Sequence, residues 1–297
     1  MNAAAAKPDD AVRIDEPMSK HTSWRVGGKA DVFFTPTSRE QLVNFVASQD
    51  ADMPLTWVGL GSNLLVRDGG IRGAVIAISP AMGDLENLGD GKVKAEAGLA
   101  CAILARNCVR WEVGPAEFFA GIPGTIGGAL AMNAGAFGGE TWDNVSSVEV
   151  LNRAGEVKTR QADEYEIGYR HAKGPVADEW FLSATFSFEA DFDTDMERMR
   201  AVVQERKVKQ PLGLPSCGSV FRNPEGDHAA RLIEASGLKG FRIGGAEVSP
   251  KHANFIINTG DATAADIEAL ITHVRSTVEE QQGISLQPEV RVMGEAA

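Results

Sequence analysis

"AGIPGTIGGALAMNAGAFGGE" spans residues 120–140 and carries seven glycines: Gly121, Gly124, Gly127, Gly128, Gly135, Gly138 and Gly139. Each glycine inside a helix costs about 1 kcal/mol relative to alanine, so the stretch cannot be helical throughout. A solvated linker is excluded too, because Ile122, Ile126, Leu130, Met132 and Phe137 favour burial. Two readings remain. The glycines serve close packing of strands, or the backbone lies against a large ligand, its amides turned inward and side chains kept out of the way.

A second block, "VGLGSNLLVRDGGIRGAVI", covers residues 58–76. A buried strand runs into Gly59-Leu60-Gly61-Ser62-Asn63. Consecutive amides in such a turn can cradle a phosphate, and Ser62 and Asn63 add donors. The third glycine of GxGxxG is missing and no GK[ST] is present, so neither a Rossmann fingerprint nor a P-loop is indicated. Alone, the block also reads as a plain tight turn. Two such blocks in one chain suggest a dinucleotide whose pyrophosphate is held by neutral amides.

The remaining composition narrows the class. The chain has 297 residues, 43% of them apolar and 24% charged, with a net charge of −12. A chain this acidic offers no broad positive field for nucleic acid. Three cysteines (Cys101, Cys108, Cys217) without a CxxC indicate neither a disulfide framework nor a metal site. The start "MNAAAAKPDD" is no secretory signal, and no run of about 18 apolar residues exists. A cytoplasmic protein with a disordered first ten residues is expected, with no membrane association.

Local signals outline the elements. "SREQLVNFVASQD" predicts a helix capped by Ser38, with Gln41 closing a capping box and Leu42, Phe45 and Val46 inward. "SVEVLNRAGEVKTR" predicts a hairpin turning at Ala154-Gly155, and "FLSATFSFE" a strand with Leu182, Ala184, Phe186 and Phe188 on one face. A helix from about Thr194 places Met196, Met199 and Val203 inward and stops before Pro211. Another at about 227–236 takes Asp227 as cap and Gly237 as stop, and Thr263 opens a last helix that Gly283 ends.

"TSWRVGGKADVFFTP", "GLGSNLLVRDGGIRG", "GIPGTIGGALAMNAGAFGGE", "GYR", "GSVFRNP" and "LQPEVRVMG" follow one another in order across residues 20–294. Together they resemble the MurB family, the UDP-N-acetylenolpyruvoylglucosamine reductases of peptidoglycan synthesis. The resemblance implies an α+β chain with a vanillyl-alcohol-oxidase-type (PCMH-like) FAD-binding fold. Its implied segments are a flexible tail (1–20), two α/β FAD-binding subdomains (21–78 and 79–205) and a C-terminal substrate-binding domain (206–297). It also implies non-covalent FAD, NADPH as co-substrate and a monomer. "KGPVADEW", between "YRHA" and "FLSATF", is short and lacks a tyrosine, as in the type without an extra tyrosine loop.

The implied reaction sends hydride from flavin N5 to C3 of the enolpyruvyl ether of UDP-N-acetylglucosamine, followed by protonation at C2. By resemblance, Arg170 is the catalytic cation, Ser219 the proton donor and Glu289 the carboxylate that supports it. Gly59, Gly61, Ser62 and Asn63 would meet the pyrophosphate, and Gly121, Gly124, Thr125, Gly127, Gly128 and Asn133 the rest of the cofactor. Tyr169 would line the flavin or substrate. Lys207, twelve residues before Ser219, and Asn223, four after it, match substrate contacts. His252 contacts the nucleotide or caps a strand. In "LPSCGSVFRNP" (214–224) the chemistry asks for a proton and no nucleophile, so Cys217 is a neighbour of the working Ser219.

Overall fold

The computed structural model describes residues 11–78 and 81–297. Its first half runs β1 (Val12–Pro17), β2 (Lys29–Phe34), α1 (Arg39–Ser48), β3 (Leu55–Val58), β4 (Leu64–Val66), β5 (Ile71–Ala77), β6 (Leu85–Gly89), β7 (Lys92–Glu96), α2 (Cys101–Arg110) and α3 (Ile126–Met132). Then come β8 (Gly135–Ala136), β9 (Gly139–Glu140), β10 (Val145–Asn152), β11 (Val157–Gln161), β12 (Glu166–Gly168), β13 (His171–Lys173) and β14 (Glu179–Ser187). The chain ends with α4 (Met196–Lys209), α5 (Ala229–Ala235), β15 (Arg242–Ile243), β16 (Ala246–Val248), β17 (Ile256–Asn258), α6 (Ala264–Gln282) and β18 (Arg291–Met293). A four-stranded sheet has the order β1-β2-β5-β3. Among the described residues no helix is long and apolar enough to cross a membrane.

Contacts group the chain into two compact units, neither of them continuous. Of the described residues, the first takes in 11–13, Phe33–Gly59 and Val75–Glu205; the second takes in Ile14–Val32, Leu60–Ala74 and Arg206–Ala297. The segments of the two units thus alternate along the chain. Of the tail expected over 1–20, residues 1–10 lie outside the described residues. Val12–Pro17 form β1 and Met18 is fully buried, so the ordered chain begins well before residue 20. β1 escaped the sequence reading because four of its six residues face solvent and no apolar alternation marks it.

In the first unit, a five-stranded sheet of order β11-β10-β14-β7-β6 is antiparallel at every pairing. Leu104 of α2, Ile126 and Leu130 of α3, Phe119, and Ala184 and Phe186 of β14 belong to one apolar core. β10 and β11 turn at Gly155, which takes the left-handed φ of +80° that the turn requires. α1 begins at Ser38, whose hydroxyl accepts the Gln41 amide at 3.1 Å. The Gln41 side chain reaches one residue further back than a capping box would place it, accepting from the Thr37 amide at 2.7 Å. Val203 on α4 is exposed, because this helix buries only Met199.

β14 is flanked on both sides, and Ser183 on its polar face is buried as well. Its hydroxyl donates to Glu149 at 2.6 Å. Glu149 also takes both nitrogens of the Arg39 fork at 3.1 Å and the Lys94 ammonium at 2.8 Å. One carboxylate thus ties the first residue of α1 to three strands of the sheet.

The second unit packs α6 on β15 and β16 and α5 on α6, with Ile267, Leu270, Val274 and Val278 of α6 in its core. Thr263 and Asp266 form a capping box at the start of α6. Asp68 adds its carboxylate there, accepting the Ala264 and Ala265 amides at 3.0 and 2.9 Å. Arg67 beside it forks onto Glu268 at 2.9 and 2.7 Å. The charged pair of "VRDGG" is therefore a clamp on α6. Asp227 pairs with Arg231 one turn later rather than capping α5, and Asn223 Oδ1 accepts the first α5 amide, Ala229, at 3.1 Å.

The Glu149 cluster makes acid stability measurable. Burial pushes the Glu149 carboxyl up, but hydrogen bonds from Arg39, Lys94 and Ser183 outweigh it and hold it at about 2. A carboxyl lowered on folding stabilises fully above its ordinary value near 4.5, and the contribution fades as pH falls toward 2. Glu149→Gln should lower the melting temperature at pH 7 by about 2–6 °C. In a calorimetric pH series the difference between the two proteins should shrink steadily below pH 4.5 toward pH 2, and a constant difference would refute this assignment.

Candidate functional site

Within the first unit the two glycine blocks touch. A Cβ at Gly59 would stand 2.5 Å from Thr125 Oγ1. Thr125 is the buried N-cap of α3, and its hydroxyl accepts the Gly128 amide at 3.4 Å. The Ile126 amide donates to Leu99 O and the Gly127 amide to Ala97 O, both at 2.8 Å, while Gly124 O accepts from Cys101 at 3.0 Å. A Cβ at Gly127 would meet Ala97 Cβ at 3.0 Å. At Gly127 and Gly128 the glycine amides are thus used inside the protein, and the close-packing reading holds for Gly127. Asn133 ends α3 with a left-handed φ of +40°. Its side-chain nitrogen donates to Glu140 at 2.7 Å and Gly168 O at 3.2 Å, and its oxygen accepts the Trp142 amide.

Arg170 sits at the tip of the β12–β13 hairpin with φ +55°, a conformation disfavoured for a long side chain. Its guanidinium approaches Asn133 O at 3.4 Å and Gly135 O at 3.5 Å, just past the C-terminus of α3, where a cation is favoured. It also stands 4.9 Å over the ring of Tyr169, which is 46% exposed. The hairpin therefore presents a fixed positive charge on an aromatic support.

In the second unit, a Cβ at Gly61 would fall 2.0 Å from His21 O, and φ is +62°. Only glycine fits. Ser23 donates to Gly61 O at 3.0 Å, and Asn63 Nδ2 donates to the Glu289 carbonyl at 3.1 Å. Glu289 in turn donates its amide to Val220 O at 2.7 Å, and Phe221 bridges Pro288. The chain segment after Ser219 thus pairs with the segment that carries Glu289. Ser219 is half-buried, and its hydroxyl has no hydrogen-bond partner among the described residues. Gly218 before it takes φ +71°.

Asn254 is a residue the sequence reading passed over. Buried, it accepts the Phe221 amide at 2.9 Å and donates to Phe221 O at 2.8 Å, copying a strand partner beside Ser219. Its signal was an asparagine inside the apolar run "HANFIIN". Arg222 was missed as well. Its Nε is buried without a partner, an arrangement that costs about 1–3 kcal/mol unless an acceptor arrives. Cys217 is buried, with Sγ 3.3 Å from Leu64 O, and burial pushes its thiol up to about 12.

The remaining predicted contacts divide. Lys207 is exposed near the end of α4, and its carbonyl accepts the Lys251 ammonium at 2.6 Å. Asn223 has its oxygen engaged at α5. His252 is half-buried, which lowers its pKa, and its Nδ1 accepts the Asn254 amide at 3.3 Å. That bond favours the capping reading for His252.

These features fit a flavin dinucleotide. Within the first unit, the Tyr169 ring, 46% exposed beside the Arg170 guanidinium, offers an apolar face to a planar ligand.

Comparison with known proteins agrees. Residues 30–160 match the FAD binding domain, and residues 210–293 match the UDP-N-acetylenolpyruvoylglucosamine reductase C-terminal domain. The UDP-N-acetylenolpyruvoylglucosamine reductase of Alkalilimnicola ehrlichii is 55% identical over 282 residues, 95% of this chain and 94% of that protein. That of Methylococcus capsulatus is 54% identical over 296 residues, 99% and 97% of the two chains. The crystal structure of the reductase (MurB) from Thermus caldophilus superposes with a TM-score of 0.81 at 31% identity, covering 95% of this chain and all of that one. The fold is thus the α+β FAD-binding type that the motifs implied.

Gly61→Ala should destabilise the protein by about 2–4 kcal/mol in urea unfolding, from the left-handed φ and the contact with His21 O. Cys217 should resist thiol reagents in the native protein and react only on unfolding, at the rate of unfolding. Fast native labelling would contradict its placement.

Proposed function

Because the chain belongs to the UDP-N-acetylenolpyruvoylglucosamine reductase family, we propose that it reduces the enolpyruvyl ether of UDP-N-acetylglucosamine to UDP-N-acetylmuramate, with NADPH as electron donor. The chain is an oxidoreductase with an FAD-binding domain. What the FAD supplies when bound is a hydride for the terminal vinyl carbon, replenished from NADPH. The backbone at Gly59, Gly61, Ser62, Asn63, Gly121 and Gly124 would hold that cofactor, with Thr125, Gly127, Gly128 and Asn133 shaping α3 beside it. Residues 206–297 would form the substrate-binding domain and 21–78 with 79–205 the FAD-binding part. A cytoplasmic monomer completes the reading.

The protein's own work concerns charge and one proton. Hydride addition at C3 pushes negative charge into the substrate carboxylate. Arg170 is assigned to that carboxylate, because a guanidinium forks onto two oxygens and stays charged at every working pH. The product then needs a proton at C2. Ser219 is assigned to deliver it, leaving an alkoxide that must be reprotonated. An isolated serine is too weak an acid for this, so Glu289 is assigned to support it through solvent. Lys207 and Asn223 are assigned to the UDP end, where Lys207 adds a charge to the diphosphate. His252 is assigned to holding the Asn254 strand rather than to the nucleotide.

The observation that carries this reading is the 2.7 Å hydrogen bond from the Glu289 amide to Val220 O, beside a serine hydroxyl with no partner among the described residues. Stopped-flow absorbance separates the half-reactions. Ser219→Ala should leave bleaching of the flavin by NADPH within about two-fold and slow the return of colour on adding enolpyruvyl substrate by about 10²–10⁴-fold. Equal losses in both halves would overturn the assignment. Lys207→Ala should raise KM for the UDP substrate by about ten-fold or more and leave flavin content unchanged. Loss of flavin would move Lys207 to the cofactor.

A further inference from the structure

β8 and β9 are joined by a two-residue turn, Phe137-Gly138, and both residues have left-handed φ, +52° and +89°. A turn of this kind favours Asn-Gly, because asparagine and glycine tolerate positive φ at little cost. Phenylalanine tolerates it poorly. Burial does not offset the strain, since the side chain is 48% exposed. An exposed aromatic in a disfavoured backbone conformation calls for a function.

The surroundings hold this ring in one place. Gly135 pairs with Glu140 and Ala136 with Gly139. The Glu140 carboxylate is fixed by Asn133 at 2.7 Å, and Thr141 donates its amide to Ala134 O at 3.0 Å. The ring lies on Gly121, where a Cβ would come within 2.8 Å of Phe137 Cε2. The same hairpin receives Arg170, whose Nη2 is 3.5 Å from Gly135 O. Three non-glycine residues with left-handed φ (Asn133, Phe137, Arg170) thus belong to one cluster. Asparagine adopts that conformation readily, whereas phenylalanine and arginine do not.

We infer that Phe137 is the water-excluding wall of the Arg170 carboxylate site, contacting the enolpyruvyl group of the substrate. The inference rests on the reading of Arg170 given above. A guanidinium–carboxylate pair strengthens as water is removed from around it, and a ring with no polar atom removes water without competing for either partner. Asparagine would relax the turn but hydrate the wall. The residue best for the backbone is therefore the wrong one for the ligand.

Two variants test this on purified holoenzyme. Phe137→Asn should melt at the same temperature or about 1–4 °C higher, because it relieves the turn. It should keep flavin content and NADPH bleaching within about two-fold, yet raise KM for the enolpyruvyl substrate about ten-fold or more. Phe137→Leu keeps an apolar wall and the strain, so its KM should rise less than that of the asparagine variant, with no gain in melting temperature. Titration of oxidised wild-type and variant proteins with UDP-N-acetylmuramate, followed by flavin absorbance, should show the same order of affinities. Unchanged KM in Phe137→Asn, or a lower melting temperature, would overturn the inference and leave the ring a packing element. Wild-type protein that turns over no enolpyruvyl substrate would instead overturn the underlying reading of function.

Discussion

At Gly61 the backbone passes so close to His21 that a side-chain carbon would stand 2.0 Å from its carbonyl oxygen. Much of the second unit's site hangs on that approach. It lets Ser23 bond to Gly61 O, and it places the Leu64 carbonyl against the thiol of Cys217. It sends Asn63 to the carbonyl of Glu289. From there β4 runs parallel to β18, so the strand after the glycine turn and the strand after Glu289 share one register. A side chain at residue 61 would displace the turn and, through Asn63, the Glu289 backbone.

The same economy of side chains governs the first unit. Gly59 abuts the hydroxyl that caps α3, and Gly127 lets α3 approach Ala97. The helix end then offers two carbonyls to Arg170. In a chain of net charge −12, cation placement is the scarce resource. Arg170 is held by a hairpin tip, backbone carbonyls and an aromatic face.

Strain and satisfaction are distributed unevenly. Glu149, Asp68 and Asn254 are each saturated by hydrogen bonds and lie where strands and helices must be fixed. Phe137 and Arg170 are in disfavoured backbone conformations, and Arg222 has a buried donor without a partner. The saturated residues fix strands and helices, whereas the strain at Phe137 and Arg170 is concentrated at two hairpin tips beside the end of α3.

Much of the fold was legible because its signals are local. The Ser38 and Thr263 caps, the Gly155 turn and the Gly283 stop each depend on a few adjacent residues, and the structure has them at those positions. The glycine blocks and the "GSVFRNP" and "LQPEVRVMG" segments could likewise be recognised as motifs. Their division of labour could not. That the Gly127 amide meets Ala97 O depends on a partner thirty residues back, and the Asn223 and His252 side chains meet backbone amides six and two residues on, contacts that the motifs did not announce. The sequence by itself determined the helical and strand periods, the caps and the turn at Gly155, since φ preference and side-chain spacing belong to the local chain. Only the tertiary structure decided that Glu289 pairs beside Ser219, that Asp68 caps a helix 196 residues away, and that Asn254 takes the place of a strand, because such bonds depend on how distant segments close on one another and leave no local trace.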